Sequence, residues 1–148
     1  MIDPKQQLKE ELIDRGKLQG FENIISAIVD KILLPATPNC KLACFDCSKS
    51  KITQEEGKDS LIQIGIKDRK SEPITVIWDI LHEYGHHLSG APKVGVDLRL
   101  KREELAWEKA YEELQNYPEL QNQKESFNDY KEVCLKDYRA NPDLVVSH

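Results

Sequence analysis

His82, Glu83 and His86 have types and spacing that could do chemistry; in sequence they read His82-Glu83-Tyr84-Gly85-His86, the pattern H-E-x-x-H. On a helix, residues i and i+4 share one face a turn apart, so both imidazoles can aim at one metal ion. Glu83 lies one step round, where it can reach a water at that ion. Two imidazoles and an adjacent carboxylate are the parts of a metal-assisted hydrolysis, with Zn2+ as the expected ion and Glu83 as the general base.

The helix that must carry them spans 73–89, with Pro73 at its first turn. On a wheel with Ile74 at zero, Ile77, Trp78, Leu81, Gly85 and Leu88 fall within about 60° and form the core stripe. His82 and His86 fall along one edge of that stripe, where a cleft would be. Gly85 is on the core side. A helical glycine costs about 1 kcal/mol relative to alanine, so its presence suggests that another element packs closely there. His87 points about 100° away from His86 and is expected to face solvent or to serve as a hydrogen-bonding neighbour.

Two histidines leave zinc short of a protein ligand, because hydrolytic sites use three plus a water. After the break at Ser89-Gly90-Ala91-Pro92 and a connecting loop over 94–100, a second helix follows from Lys101. Ala106, Trp107, Ala110 and Leu114 form its apolar face, and Glu103 stands at the start of that face. The small residues Ala106 and Ala110 would let it approach the first helix, so Glu103 could complete a His/His/Glu site. Glu104 is the alternative. It would put Glu108 four residues on, but it has no small residue at +3.

This pair of motifs resembles the gluzincin branch of the zincin metallopeptidases, in which H-E-x-x-H is followed by a second helix bearing E-x-x-A. Glu103-Glu104-Leu105-Ala106 matches that form with Glu103 as third ligand. The small size, the strand before the helix and the Glu-rich second helix are similar to the minimal ImmA/IrrE-like metallopeptidases. The resemblance covers about 61–115. It implies a zincin-like fold, peptide-bond hydrolysis, and capture of an extended peptide by the edge of the strand Leu61 to Ile66. One departure stands out: four residues after Glu103, where such enzymes often have Asp or Asn to hold a ligating histidine, this chain has Trp107. Tyr84, Tyr111, Lys101 and Arg102 are the candidates for stabilising an oxyanion.

The remaining elements are a scaffold for this site. In 1–35, helices are expected over 4–17 and 21–34, the second with Phe21, Ile24, Ile25, Ile28, Val29 and Ile32 in helical rhythm before Pro35 and Pro38. Over 40–66 the pattern predicts a small, mostly antiparallel sheet of two or three strands, with Ile62, Ile64 and Ile66 on one face. The metal-site helices occupy 73–115. A helix over about 119–139 would present Phe127, Tyr130, Val133, Cys134 and Tyr138 on one face, followed by a loose tail from Asn141 with His148 disordered. The expectation is one α+β domain over 1–148, with the H-E-x-x-H helix at its centre.

The chain has 148 residues and a formal net charge of -5, with 39% hydrophobic and 32% charged residues. That is enough chain for one real core. The negative balance argues against nucleic acid as the main partner. Neither a leader-like N-terminus nor an apolar run of spanning length is present, so a soluble cytoplasmic protein without membrane association is expected. The four cysteines are then thiols or metal ligands. Cys40, Cys44 and Cys47 could form a second metal site only with Cys134 or a distant histidine, against which stands the reading as ordinary buried thiols. The expected partner is a protein or peptide substrate. The alternative is a non-proteolytic, metal-binding regulatory or interaction module, which would have no need of Glu83.

Overall fold

A computed structural model describes residues 3–147. The expectation for His148 falls outside them. The described chain is α+β, in the order α1 (Pro4–Gly16), α2 (Glu22–Ile32), β1 (Cys40–Phe45), β2 (Lys51–Thr53), β3 (Ser60–Gly65), α3 (Ile74–Leu88), α4 (Arg99–Leu114), a 3-10 turn over Pro118–Gln123, and α5 (Lys124–Ala140). None of the described helices is long and apolar enough to cross a membrane.

Helix α1 starts on Pro4, whose fixed φ suits a first turn, and stops where Lys17 turns left-handed at φ 57°. Helix α2 buries Ile24, Ile25, Ile28, Val29 and Ile32, its whole apolar rhythm. Lys9 ties the pair together: its Nζ donates to Ser26 Oγ at 2.9 Å and lies 2.8 Å from Asp30 Oδ1.

The sheet differs from the expected, mostly antiparallel one. Its order is β1-β3-β2. β1 runs parallel to β3, from Cys40 opposite Ser60 to Phe45 opposite Gly65, and only the short β2 is antiparallel to it. β3 takes the middle because its alternation is the most apolar: Ile62 and Ile64 are fully buried and Ile66 nearly so. A hairpin register depends on local turn chemistry, whereas a parallel pairing depends on the whole chain path, so the strand order was not readable from alternation alone. Both edges of β3 are therefore occupied, and the expected capture of a peptide by Leu61 to Ile66 is ruled out. The outer edges of the sheet belong to β1, beside α1 and α2, and to β2, beside α3.

Helix α3 is central and is buried more completely than one stripe. Ile74 to Leu81 are all buried, as are Glu83, Gly85 and His86. The expected stripe member Leu88 is exposed, because it lies past the last packed turn. Gly85 has the predicted packing role: a Cβ there would come within 2.2 Å of the Ala106 carbonyl oxygen on α4. Helix α4 begins at Arg99, two residues earlier than expected, after Leu98 in extended conformation.

The C-terminal region departs most. The expected helix is split at Lys124 into the 3-10 turn and α5. Phe127 and Leu135 enter the core, and the Phe127 ring meets Trp78 at 5.3 Å and Trp107 at 5.4 Å, both edge-on. Val133 is exposed, Tyr130 and Cys134 pack against the core while also lining a cleft, and Tyr138 lines that cleft. The tail after Asn141 is tied down: Leu98 bridges Val145, Arg99 N–H donates to Leu144 O at 2.9 Å, and Val146 N–H donates to Asp97 O at 2.8 Å. The extended entry into α4 leaves backbone groups unpaired, and this segment satisfies them. A single apolar cluster runs from Leu12 to Leu135 and places α3 between the sheet and the later helices.

Candidate metal centre

The close crossing of α3 and α4 at Gly85 and Ala106 brings Glu103 against both histidines. His86 Nε2 contacts Glu103 Oε2 directly. His82 Nε2 lies 3.3 Å from Glu103 Oε1, yet it is buried and makes no hydrogen bond. One ligand atom each from His82, His86 and Glu103 lies within 4.8 Å of the others, and among the described residues this is the one group of His, Cys, Asp or Glu with metal-holding geometry. Glu104 faces elsewhere, 3.7 Å from Lys101 and beside Trp107 and Tyr111 in a groove between α4 and α5.

The donor set fits a metal ion. A buried imidazole nitrogen without a partner costs free energy unless something accepts its lone pair. Two imidazoles and one carboxylate are the protein ligands of an open, four-coordinate site. The electrostatics point the same way. Burial alone would push the Glu103 carboxyl up, but the imidazoles of His82 and His86 beside it hold it well below the usual carboxylate range. Burial lowers the pKa of His86. It also opposes charge on His82, but the carboxylates of Glu103, Glu83 and Asp79 outweigh it and leave that pKa raised.

Glu83 is 4% exposed, with Oε1 3.5 Å from His82 Nδ1. Burial pushes its carboxyl up to about 7, with Glu103 and Asp79 adding to the rise and His82 opposing it. A carboxyl poised near neutrality can both take and return a proton.

The three groups open on a cleft of about 950 Å³. Its walls come from β2 and the turn before it, from the start of α4, from α5 and from the segment after Asn141. Asp79, one turn before His82 and Glu83, joins two of these walls to the loop before α3. Ser50 Oγ donates to its Oδ2 at 2.6 Å, Arg69 Nη1 to the same oxygen at 2.8 Å, and Tyr130 Oη to Oδ1 at 2.6 Å. Ser50 in turn accepts from Gly65 N–H at 2.9 Å. Sequence reasoning missed this hub; the available signal was a lone acid in the apolar run Ile77 to Leu81.

Of the oxyanion candidates, only Arg102 lines the cleft. It donates to Gly90 O at 2.7 Å and so anchors the end of α3. Tyr84 stacks on His87, Tyr111 packs near Phe127 and Lys101 is exposed. Tyr138, not singled out from the sequence, is on the cleft with Arg99 over its ring at 5.5 Å. Burial and Glu103 raise its phenol pKa. His87 is the hydrogen-bonding neighbour expected, with Nδ1 2.8 Å from Ser60 Oγ.

All four cysteines are free thiols. Burial pushes Cys40 and Cys44 up to about 12 and Cys134 to about 11, which makes them poor thiolates. Among the described residues they form no metal-holding cluster. No family model, curated protein or solved structure matches this chain.

Proposed function

We propose that this protein is a zinc-dependent metallopeptidase in which His82, His86 and Glu103 hold the ion and Glu83 is the general base. The observation that carries the reading is the unpartnered, buried Nε2 of His82, set with His86 and Glu103 beside a carboxyl near neutrality. When bound, zinc supplies a Lewis acid and an acidified water.

The chain's own groups account for the rest. Glu83 takes the proton from the attacking water and returns it to the leaving amine. Its burial keeps bulk water from competing for that proton. The free edge of β2 lies on the cleft and offers unpaired backbone groups to an extended peptide, the role first expected of Leu61 to Ile66. Trp107 and the close α3–α4 crossing keep the ligands in place. Four free thiols fit a reducing compartment, so we assign the protein to the cytoplasm.

The test is digestion of a peptide library by the zinc-loaded protein and its Glu83→Gln variant. Cleavage by the wild type and none by a variant that still binds zinc supports the reading. Equal cleavage by both, or cleavage by neither, overturns it.

A further inference from the structure

We propose that the cleft selects acidic peptides, recognising carboxylate side chains on either side of the bond at Glu83. This deepens the peptidase reading and rests on it. The observation is a set of cations without carboxylate partners. The chain carries a net charge of -5, yet Lys49, Lys51, Arg99 and Arg102 all line the cleft. Among the described residues none of these four forms an ion pair with a carboxylate, whereas many other cations of the fold do.

The acids of the cleft form no ion pair with them. Asp79 is occupied by Arg69, Ser50 and Tyr130. Glu103 is held by the two histidines, and Glu83 is buried. Only Asp137 is an exposed acid on the lining.

The cations come from two walls. Lys49 and Lys51 are exposed on β2 and the turn before it, and Lys51 belongs to the free edge itself. Arg99 and Arg102 come from the first turn of α4, four residues and one residue before Glu103. Arg99 is held at the rim over the ring of Tyr138, and the Lys51 ammonium rests 5.1 Å from the centroid of the Phe45 ring on β1; among the described residues neither cation has a carboxylate partner. A peptide added along β2 would run with its side chains between these two walls. Like-sign focusing in a cleft raises the local concentration of the opposite charge. The β2 edge favours an extended peptide over a nucleic acid, because it offers backbone pairing to a strand.

Binding can be read without turnover. Zinc-loaded Glu83→Gln protein is titrated with labelled extended peptides that carry Glu, Gln or Lys at the same positions, followed by fluorescence anisotropy. The expected order is Glu, then Gln, then Lys. Glu over Lys should reach about ten-fold at low salt and shrink toward about two-fold near 0.5 M salt. Adding Lys49→Glu and Lys51→Glu should invert the order, while circular dichroism confirms the fold. Equal binding of the three peptides overturns the proposal, as does an order that the charge reversal leaves unchanged. Tighter binding of a single-stranded oligonucleotide than of the Glu peptide also overturns it. If the wild type cleaves peptides without preferring Glu, the selectivity fails and the peptidase stands. If it cleaves none but the variant still prefers Glu peptides, the peptidase fails and the selectivity stands.

Discussion

The indole of Trp107 lies flat on the imidazole of His82, with ring centroids 4.2 Å apart and planes 5° from parallel. The position where a polar residue would hold a ligating histidine is thus filled by an aromatic face. Orientation of His82 comes from stacking, and Glu83 Oε1 lies 3.5 Å from its Nδ1. Trp107 is itself wedged edge-on against Phe127 and fully buried.

This contact makes Trp107 a reporter. The chain has two tryptophans, and only Trp107 stacks on a candidate ligand. Titration of the metal-free protein with cobalt(II) should quench tryptophan emission. Trp107→Phe should remove most of the quench and weaken metal binding by about ten-fold, while Trp78→Phe should retain the quench. Trp107→Ala would leave a cavity and cost about 3 to 5 kcal/mol of stability in urea unfolding.

The raised pKa of Glu83 predicts a pH-dependent stability difference in the metal-free protein. Its folded-state value is about 7, against an ordinary value of 4.5. A raised pKa means that the favourable contribution is complete below 4.5 and is lost as pH rises through 7. Glu83→Gln, which resembles the neutral carboxyl, should therefore match the wild type near pH 4 and exceed it at pH 8 by about 3 kcal/mol. Denaturant melts across that range check it; a variant less stable than the wild type at pH 8 contradicts it.

Gly85→Ala should separate the two halves of the site. The added methyl would meet the Ala106 carbonyl, which is backbone and cannot rotate away. Alanine gains about 1 kcal/mol in helix propensity, but overpacking costs about 1 to 3 kcal/mol and moves α4 outward. The net effect is lower thermal stability and zinc affinity reduced by about ten-fold or more. Serine should do the same, which separates a steric cause from polarity.

The parts of the site legible in the sequence were those set by local periodicity. The one-turn spacing of His82 and His86, the small residues Gly85 and Ala106, and the placement of Glu103 on the apolar face of α4 all follow from helix geometry. What was hidden depends on the path of the chain. β3 takes the centre of the sheet through a parallel pairing with β1, so the free edges pass to β1 and β2. Asp79 sits in an apolar run, and its partners Ser50, Arg69 and Tyr130 come from three separate segments. The wheel of α5 marks a face but not what that face meets, so it does not show that Tyr130 and Tyr138 line the cleft. The segment after Asn141 has no periodicity of its own and is ordered only by the backbone groups of residues 95–99.

The most direct measurement is zinc titration of the metal-free protein by calorimetry, with the same titration on His82→Ala and Glu103→Ala. The account predicts one tight zinc per wild-type chain, with affinity reduced by at least about a hundred-fold in each variant and falling as pH drops and first His82, then His86, takes up a proton. A wild type that binds no stoichiometric zinc, or variants that bind it as well as the wild type does, would contradict the metal centre and the mechanism built on it.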